Sequence, residues 1–234
     1  MNQREGGGRR VAISQSNYIP WRGYFDLIGS VDEFIFYDDA QYTKDWRNRN
    51  RIKTPQGPLW LTIPVGTDRN RRICDVTIPD EEAGRKHWQV LAANYKRAPY
   101  FEEIAGWLRP YFDESWTSLS LLNHRMTAAI CAFLGIRTKL SRSYDYAATG
   151  DRNGRLLALC QEAGGTTYLS GPRAADYLDE QLFRDGGVAV EWMDYSNYAE
   201  YPQLWGDFEP QVSILDLLFN CGPDSPRFLK VGVS

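Results

Sequence analysis

The feature that most limits the fold is an alternation of short apolar runs with amphipathic stretches, beginning with VAIS (11–14) and EFIFY (33–37). Runs of four or five apolar residues are too short for buried helices and fit strands covered on both faces. Between these two runs, Pro20 and Gly23 mark a turn, and residues 24–29 place Phe25 and Ile28 inward on a helix. The same reading predicts strands at 59–65, 73–78, 138–143, 168–170 and 188–195, with a polar loop over 66–72. Helical patterning fills 80–135, broken at Pro99 and Pro110, and returns over 152–163, 174–183 and 212–219. Gly164 and Gly165 fit a helix C-cap after 152–163. Strands separated by helices predict an α/β, Rossmann-like fold with a largely parallel sheet, in which the segment at about 80–135 is a helical insertion or lid. The start, MNQREGGGRR, reads as a disordered polar tail over 1–10, followed by one domain over 11–234.

Composition narrows the function. With 43% hydrophobic residues over 234 positions the chain can bury a sizeable core, and a net charge of −3 argues against general nucleic-acid or membrane-surface binding. No apolar run reaches the roughly 18 residues a membrane span needs, and the first ten residues have no apolar stretch of the secretory-signal kind. Cys74, Cys131, Cys160 and Cys221 are scattered in apolar settings without metal-type spacing, so buried, reduced thiols in a cytoplasmic protein are expected. Two histidines rule out a site built on several imidazoles, and no metal is expected. GxSxG, P-loop and GxGxxG signatures are absent.

In open parallel sheets, ligands bind beyond the carboxyl ends of the strands. Three polar segments fall there: Gln15, Asn17, Tyr18, Trp21 and Tyr24; the stretch from Asp38 to Trp46; and the pair Ser170–Gly171. Asp38 and Asp39 could accept a proton, orient a hydroxyl or hold a metal, or simply pair with nearby arginines. In KDWRNRNRIK (44–53), Arg47, Arg49 and Arg51 alternate with Asn48 and Asn50, so a strand would put the arginines on one face. Together with Lys53 they suit phosphate or carboxylate; the alternative is a solvated edge strand. Arg69, Arg71 and Arg72 read as a solvated loop. His87 is the first candidate base, whereas His124 reads as a surface or capping residue. The Ser170–Gly171–Pro172 turn could offer backbone N–H groups to an anion or serve as an N-cap.

Six blocks occur in a fixed order: QSNYIPWRGYFDLI, FYDDAQYTKDWRNRNRIKT, WLTIPV, HWQ…NYKRAPYF, YLSGPRAADYL and VSILDLLFNCG. On these, from about Val11 to Gly222, the chain resembles the WbqC-like protein family. The resemblance implies a cytoplasmic, bacterial role in surface-polysaccharide (O-antigen, lipopolysaccharide) or natural-product biosynthesis. It implies transfer of an acyl or aminoacyl group to the amine of an amino sugar or nucleotide-linked sugar. The donor it implies is a phosphopantetheine thioester on an acyl or peptidyl carrier protein, with no resident cofactor assigned.

The family pattern falls on Gln15, Asn17, Tyr18, Pro20, Gly23, Tyr24, Asp38, Asp39, Gln41, Tyr42, Asn48, Arg49, Lys53, His87, Tyr95, Ser170, Gly171, Tyr177 and Asp216. In this account Trp21 or Trp46 stacks on a sugar ring, and Arg47, Arg49, Arg51 and Lys53 bind phosphate. Many relatives have histidine where Ser14 stands, and close ones where Pro210 stands, which directs attention to His87, Asp38 and Asp39. A looser likeness of the opening loop to the HIGH-type motif suggests an adenylate-forming or nucleotidyl-transferring enzyme instead. A non-catalytic module binding a carrier protein or sugar enzyme is the third alternative.

Overall fold

The computed structural model describes residues 8–231. Of the stretch read as a tail, 1–7 lie outside the described residues, while Arg10 opens the first strand and Arg9 Nη2 donates to Glu33 at 2.7 Å. The chain divides into two compact units, one formed by residues up to 14, 27–37 and 137–196, the other by 15–26, 38–136 and 197 onward.

The first unit is a five-stranded sheet: β1 (Arg10–Ser14), β2 (Glu33–Phe36), β5 (Lys139–Arg142), β6 (Thr167–Ser170) and β7 (Ala189–Trp192). Their order is β5-β2-β1-β6-β7, and every neighbouring pair is parallel. All four residues of β2 are buried, as expected of a strand covered on both faces. α6 (Arg152–Glu162) packs Leu156, Leu159 and Cys160 into a core with Val11, Ile13, Ile35, Tyr168 and Phe183. Gly164, at φ +70°, supplies the left-handed turn after α6 that the sequence suggested. Strand order reverses between β1 and β6, where only Arg10–Thr167 and Val11–Tyr168 are in register. Beyond them the two strands lose their mutual ladder while β1–β2 and β6–β7 continue, the arrangement of a doubly wound sheet at its switch point. The fold is α/β and Rossmann-like.

The second unit holds the hairpin β3 (Arg49–Thr54) and β4 (Gly57–Thr62) and the helices α2 (Ala83–Tyr95), α3 (Phe101–Leu108), α4 (Pro110–Asp113), α5 (Leu119–Phe133) and α8 (Ile214–Cys221). An aromatic core ties them: Trp88 contacts Phe101 and Phe112, and Phe219 of α8 contacts Tyr95 and Phe101. Pro110 sits at the first turn of α4, where its missing N–H costs no hydrogen bond. α1 (Arg22–Gly29) belongs to both units, its first five residues to this one.

Two segments differ from the sequence reading. Residues 73–78 form no strand beside 59–65: β4 pairs antiparallel with β3, and Ile73–Asp75 is a single 3-10 turn. Its N–H groups go elsewhere, Ile73 to Ala40 O and Cys74 to Asp38 O, so the alternating pattern is spent on a loop-to-loop contact. The stretch 174–183 is split into a 3-10 turn (Pro172–Asp176) and α7 (Glu180–Asp185), because the Asp179 side chain accepts from Leu182 N and starts a new helix. Cys131, Cys160 and Cys221 are buried thiols as expected, but Cys74 is only half-buried. Among the described residues, no helix is long and apolar enough to cross a membrane.

Candidate functional site

A buried polar cluster forms in the second unit, where the loops following β1 and β2 meet one face of α5. Asp38 is fully buried. Its Oδ1 accepts the Ser16 backbone N–H at 2.8 Å, and its Oδ2 accepts Ser120 Oγ at 2.5 Å and His124 Nε2 at 2.9 Å. Asn123 Nδ2 donates to Ser16 Oγ (3.2 Å) and to Arg47 O (2.9 Å), fixing both loops against α5. Burial alone would raise the Asp38 carboxyl, yet the hydrogen bonds from His124, Ser120 and the Ser16 N–H hold it below the usual carboxylate range. Asp38 is thus an anion fully supplied with donors, the condition under which a buried carboxylate is tolerated.

The geometry assigns roles. With Nε2–H directed at Asp38, the basic lone pair of His124 lies on Nδ1. Asp38 therefore fixes the tautomer and orientation of the imidazole. The Ser120 hydroxyl donates to Asp38 and also lies 3.3 Å from His124 Nε2. In a Ser-His-acid relay the imidazole lies between hydroxyl and carboxylate, whereas the Ser120 hydroxyl donates directly to Asp38. Asp39, the other expected acid, is half-buried beside this cluster in sequence.

The crowded opening loop is mostly scaffold. Tyr18 N donates to Trp46 O at 3.0 Å, and the Tyr18 hydroxyl meets His87 Nδ1 at 2.8 Å. His87 Nε2 lies 3.2 Å from Thr62 O, an acceptor, so Nε2 carries the hydrogen and Nδ1 accepts from Tyr18. Burial pushes the His87 pKa down to about 4, against the opposing pull of the Thr62 carbonyl and Asp80. Both ring nitrogens of His87 are engaged internally, which ties this expected base to structure. Asn50 Nδ2 donates to the carbonyls of Tyr18 (3.2 Å) and Ile19 (2.9 Å). That pair of bonds holds Ile19, a buried β-branched residue, at φ +38°, a strained conformation outside glycine. The Tyr24 hydroxyl donates to Gln15 O at 3.0 Å, and Trp21 meets the Tyr198 ring edge-on at 5.8 Å between centroids. Asn17 is half-buried, with Oδ1 lacking a partner among the described residues.

The basic segment divides by role. Arg47 precedes β3, is buried, and pairs with Asp45 at 2.9 Å, so it does not share a strand face with Arg49 and Arg51. On β3, Arg49 and Arg51 are half-exposed and alternate with buried Asn50 and Ile52, as the spacing predicts. Their guanidiniums lie 4.5 and 5.6 Å from the ring centre of Trp60, which contacts Trp46 at 5.3 Å. Both indoles are exposed, Trp46 by 39% and Trp60 by 41%. Arg51 donates to Gln211 Oε1 at 2.6 Å, and buried Lys53 donates to Gln203 Oε1 at 2.9 Å and to Asp207 O, leaving Lys53 no exposed charge to offer a ligand.

Nearby in the core, Lys53 N donates to the Tyr95 hydroxyl (2.9 Å), which donates to Asp216 Oδ2 (2.8 Å). Burial pushes the Asp216 pKa up to about 6 despite this bond. Asn48 Nδ2 donates to Ile63 O, Gln41 is exposed and bridges Arg72, and Tyr42 is buried. Ser170 and Gly171 belong to the sheet unit; Ser170 Oγ donates to the Tyr168 hydroxyl at 3.2 Å, and Gly171 precedes the 3-10 turn.

Sequence reasoning passed over Ser16, Ser120 and Asn123 and read His124 as a surface residue. The signal was present on α5: Ser120, Asn123, His124 and Thr127 recur at three- and four-residue spacing within an otherwise apolar face. Polar groups on the buried stripe of a helix need partners, so such a stripe marks a buried site.

The family model described as the WbqC-like protein family matches residues 15–228. The chain is 54% identical over 226 residues, 95% of its length and 98% of the relative's, to an uncharacterized protein, Rv1507c, of Mycobacterium tuberculosis (strain ATCC 25618 / H37Rv). No solved structure matches it. The matched span runs from the loop after β1 to the 3-10 turn after α8 and contains Ser16, Asp38, Ser120, Asn123 and His124. The chain belongs to the WbqC-like protein family.

Proposed function

We propose that the protein is a biosynthetic transferase that moves an acyl or aminoacyl group from a carrier-bound thioester to the amine of an amino sugar, free or nucleotide-linked. The observation that supports this reading is the 2.9 Å contact between His124 Nε2 and buried Asp38, which orients the imidazole that would serve as general base. In the step, the amine nitrogen attacks the thioester carbonyl and its proton passes to His124 Nδ1. The C–S bond then breaks, the amide forms, and the leaving thiolate recovers the proton from His124. Direct attack needs positioning and a base rather than a protein nucleophile, consistent with the Ser120 hydroxyl being committed to Asp38. The exposed indoles of Trp46 and Trp60 suit stacking against the apolar face of a sugar ring.

Incubating purified protein with a panel of nucleotide-linked amino sugars and acyl or aminoacyl carrier thioesters tests the reading. The expected result is a product heavier than the acceptor by the acyl group, with stoichiometric release of free carrier thiol. Release of free acid without any acylated sugar, across the panel, would discard it.

A further inference from the structure

Two guanidiniums and two indoles share one exposed patch on the β3–β4 hairpin and the loop before it. Arg51 lies directly across from Trp60 in the antiparallel ladder, and Arg49, two residues along β3, is on the same face. The guanidinium carbons of Arg49 and Arg51 stand 4.5 and 5.6 Å from the centre of the Trp60 ring, and Trp46 contacts that ring at 5.3 Å. All four groups therefore meet at Trp60, a residue the sequence reading did not single out. They lie at the surface, where a ligand reaches them without entering a cavity: both indoles are exposed and both arginines half-exposed.

Two features set this patch apart from the surface around it. Among the described residues neither guanidinium lies within ion-pair distance of a carboxylate, whereas Arg47 pairs with Asp45, Arg72 with Asp75 and Arg142 with Asp145. Arg51 gives one N–H to Gln211 Oε1, a neutral acceptor, so both positive charges stay unmatched. Like charges side by side repel, and an anion between them removes that repulsion. Exposed apolar surface also concentrates here: among the described residues six large apolar side chains are exposed, and Trp46, Leu59 and Trp60 are three of them. A charged edge strand that only guards against aggregation would not expose an indole between its charges.

The patch is tied to the Asp38–His124 cluster. The Arg47 carbonyl, next to Trp46, accepts from Asn123 Nδ2 at 2.9 Å, and Asn123 immediately precedes His124 on α5.

We infer that Trp46, Trp60, Arg49 and Arg51 form a subsite for a phosphorylated sugar, the indoles stacking on the ring and the guanidiniums taking the phosphate. An indole offers a flat apolar face to a ring, and the guanidinium fork matches phosphate oxygens. That the sugar carries the reacting amine rests on the transferase reading, whose acceptor is thereby narrowed from any amino sugar to a phosphate ester. The demand for a ring and an anion together rests on the patch alone. A sugar phosphate and a nucleotide-linked sugar share this chemistry.

The test is a calorimetric titration that needs no turnover, with glucosamine, glucosamine 1-phosphate, uridine diphosphate glucosamine and inorganic pyrophosphate as probes. Wild-type protein is expected to bind the phosphorylated sugars roughly tenfold or more tightly than glucosamine, and less tightly as salt is raised. The double variant Arg49→Gln/Arg51→Gln is expected to lose that preference. Trp60→Leu is expected to weaken binding of both phosphorylated sugars several-fold, as for loss of one aromatic contact. All three side chains reach solvent, and an unchanged Tm in each variant shows that the fold is kept. A preference for the nucleotide-linked probe identifies that source and equal affinity a simple sugar phosphate; either supports the subsite. Equal affinity for glucosamine and its phosphate, a preference surviving in the double variant, or no binding of any probe at about 10 mM overturns it. Pyrophosphate binding as tightly as the sugar phosphates overturns it too, because the patch would then recognise charge without a ring. Binding of a phosphorylated sugar that is never acylated would leave the subsite standing and remove the transferase reading alone.

Discussion

Asp38 and His124 stand 86 residues apart in the chain and meet at 2.9 Å, the carboxylate fully buried and the imidazole at the edge of the cluster. Asp38→Asn would face the His124 N–H with an amide, removing the acceptor that fixes the tautomer. Turnover is expected to fall by about 100-fold or more with KM little changed, as for loss of an oriented acid–base group. Nitrogen chemical shifts of the His124 ring should report the hydrogen moving from Nε2 to Nδ1. A variant with the wild-type tautomer and rate would show that Asp38 only fills space.

His87 makes stability depend on pH. Its folded pKa of about 4 lies below its ordinary value of 6.5, so folding favours the neutral ring. This contribution is complete above pH 6.5 and is lost as pH falls toward 4, amounting to about 3 kcal/mol for a shift of this size. Urea denaturation of wild type and His87→Gln at pH 7.5 and 4.5 checks it. The variant is expected to show a smaller drop on acidification, and an unchanged drop would contradict the buried, neutral assignment.

Asp216 works with the opposite sign. Its folded pKa is raised to about 6 from 3.8, so its contribution is greatest below pH 3.8 and is lost as pH rises through 6. At neutral pH the buried carboxylate is therefore a cost, on the order of 3 kcal/mol. Asp216→Asn keeps an acceptor for Tyr95 and should raise the Tm more at pH 7.5 than at pH 5. An equal shift at both pH values would show that Asp216 does not titrate in this window.

Asn50 holds the strained Ile19 turn. Asn50→Ala leaves the buried carbonyls of Tyr18 and Ile19 short of donors, and a loss of about 2 kcal/mol in unfolding free energy is expected. A change below about 0.5 kcal/mol, the range of an ordinary surface substitution, would mean the amide is replaceable by solvent.

The centre of the sheet was legible because its strands are compact apolar runs bounded by turn residues; VAIS and EFIFY could be little else. The β3–β4 pairing was not: the alternation over 47–51 suggested a strand, but RICDVTI imitates a neighbour for 59–65, and nothing local says which of the two pairs with it. Of the candidate cluster, only Asp38 was visible. Asp38 was marked by its place after β2, but its partners Ser120 and His124 lie on a helix more than 80 residues away, and distance in sequence carries no contact information without the fold. The choice of His87 over His124 failed to foresee partners: Tyr18 and Thr62 approach from segments 69 and 25 residues distant.

The most direct measurement is the single-turnover rate of amide formation for wild type and His124→Gln, on the acceptor and thioester pair that gives product. The expected result is a fall of about 100- to 1,000-fold, with unchanged thermal stability and unchanged affinity for the sugar. A His124→Gln protein that acylates the amine at the wild-type rate would contradict the role given to the Asp38–His124 pair.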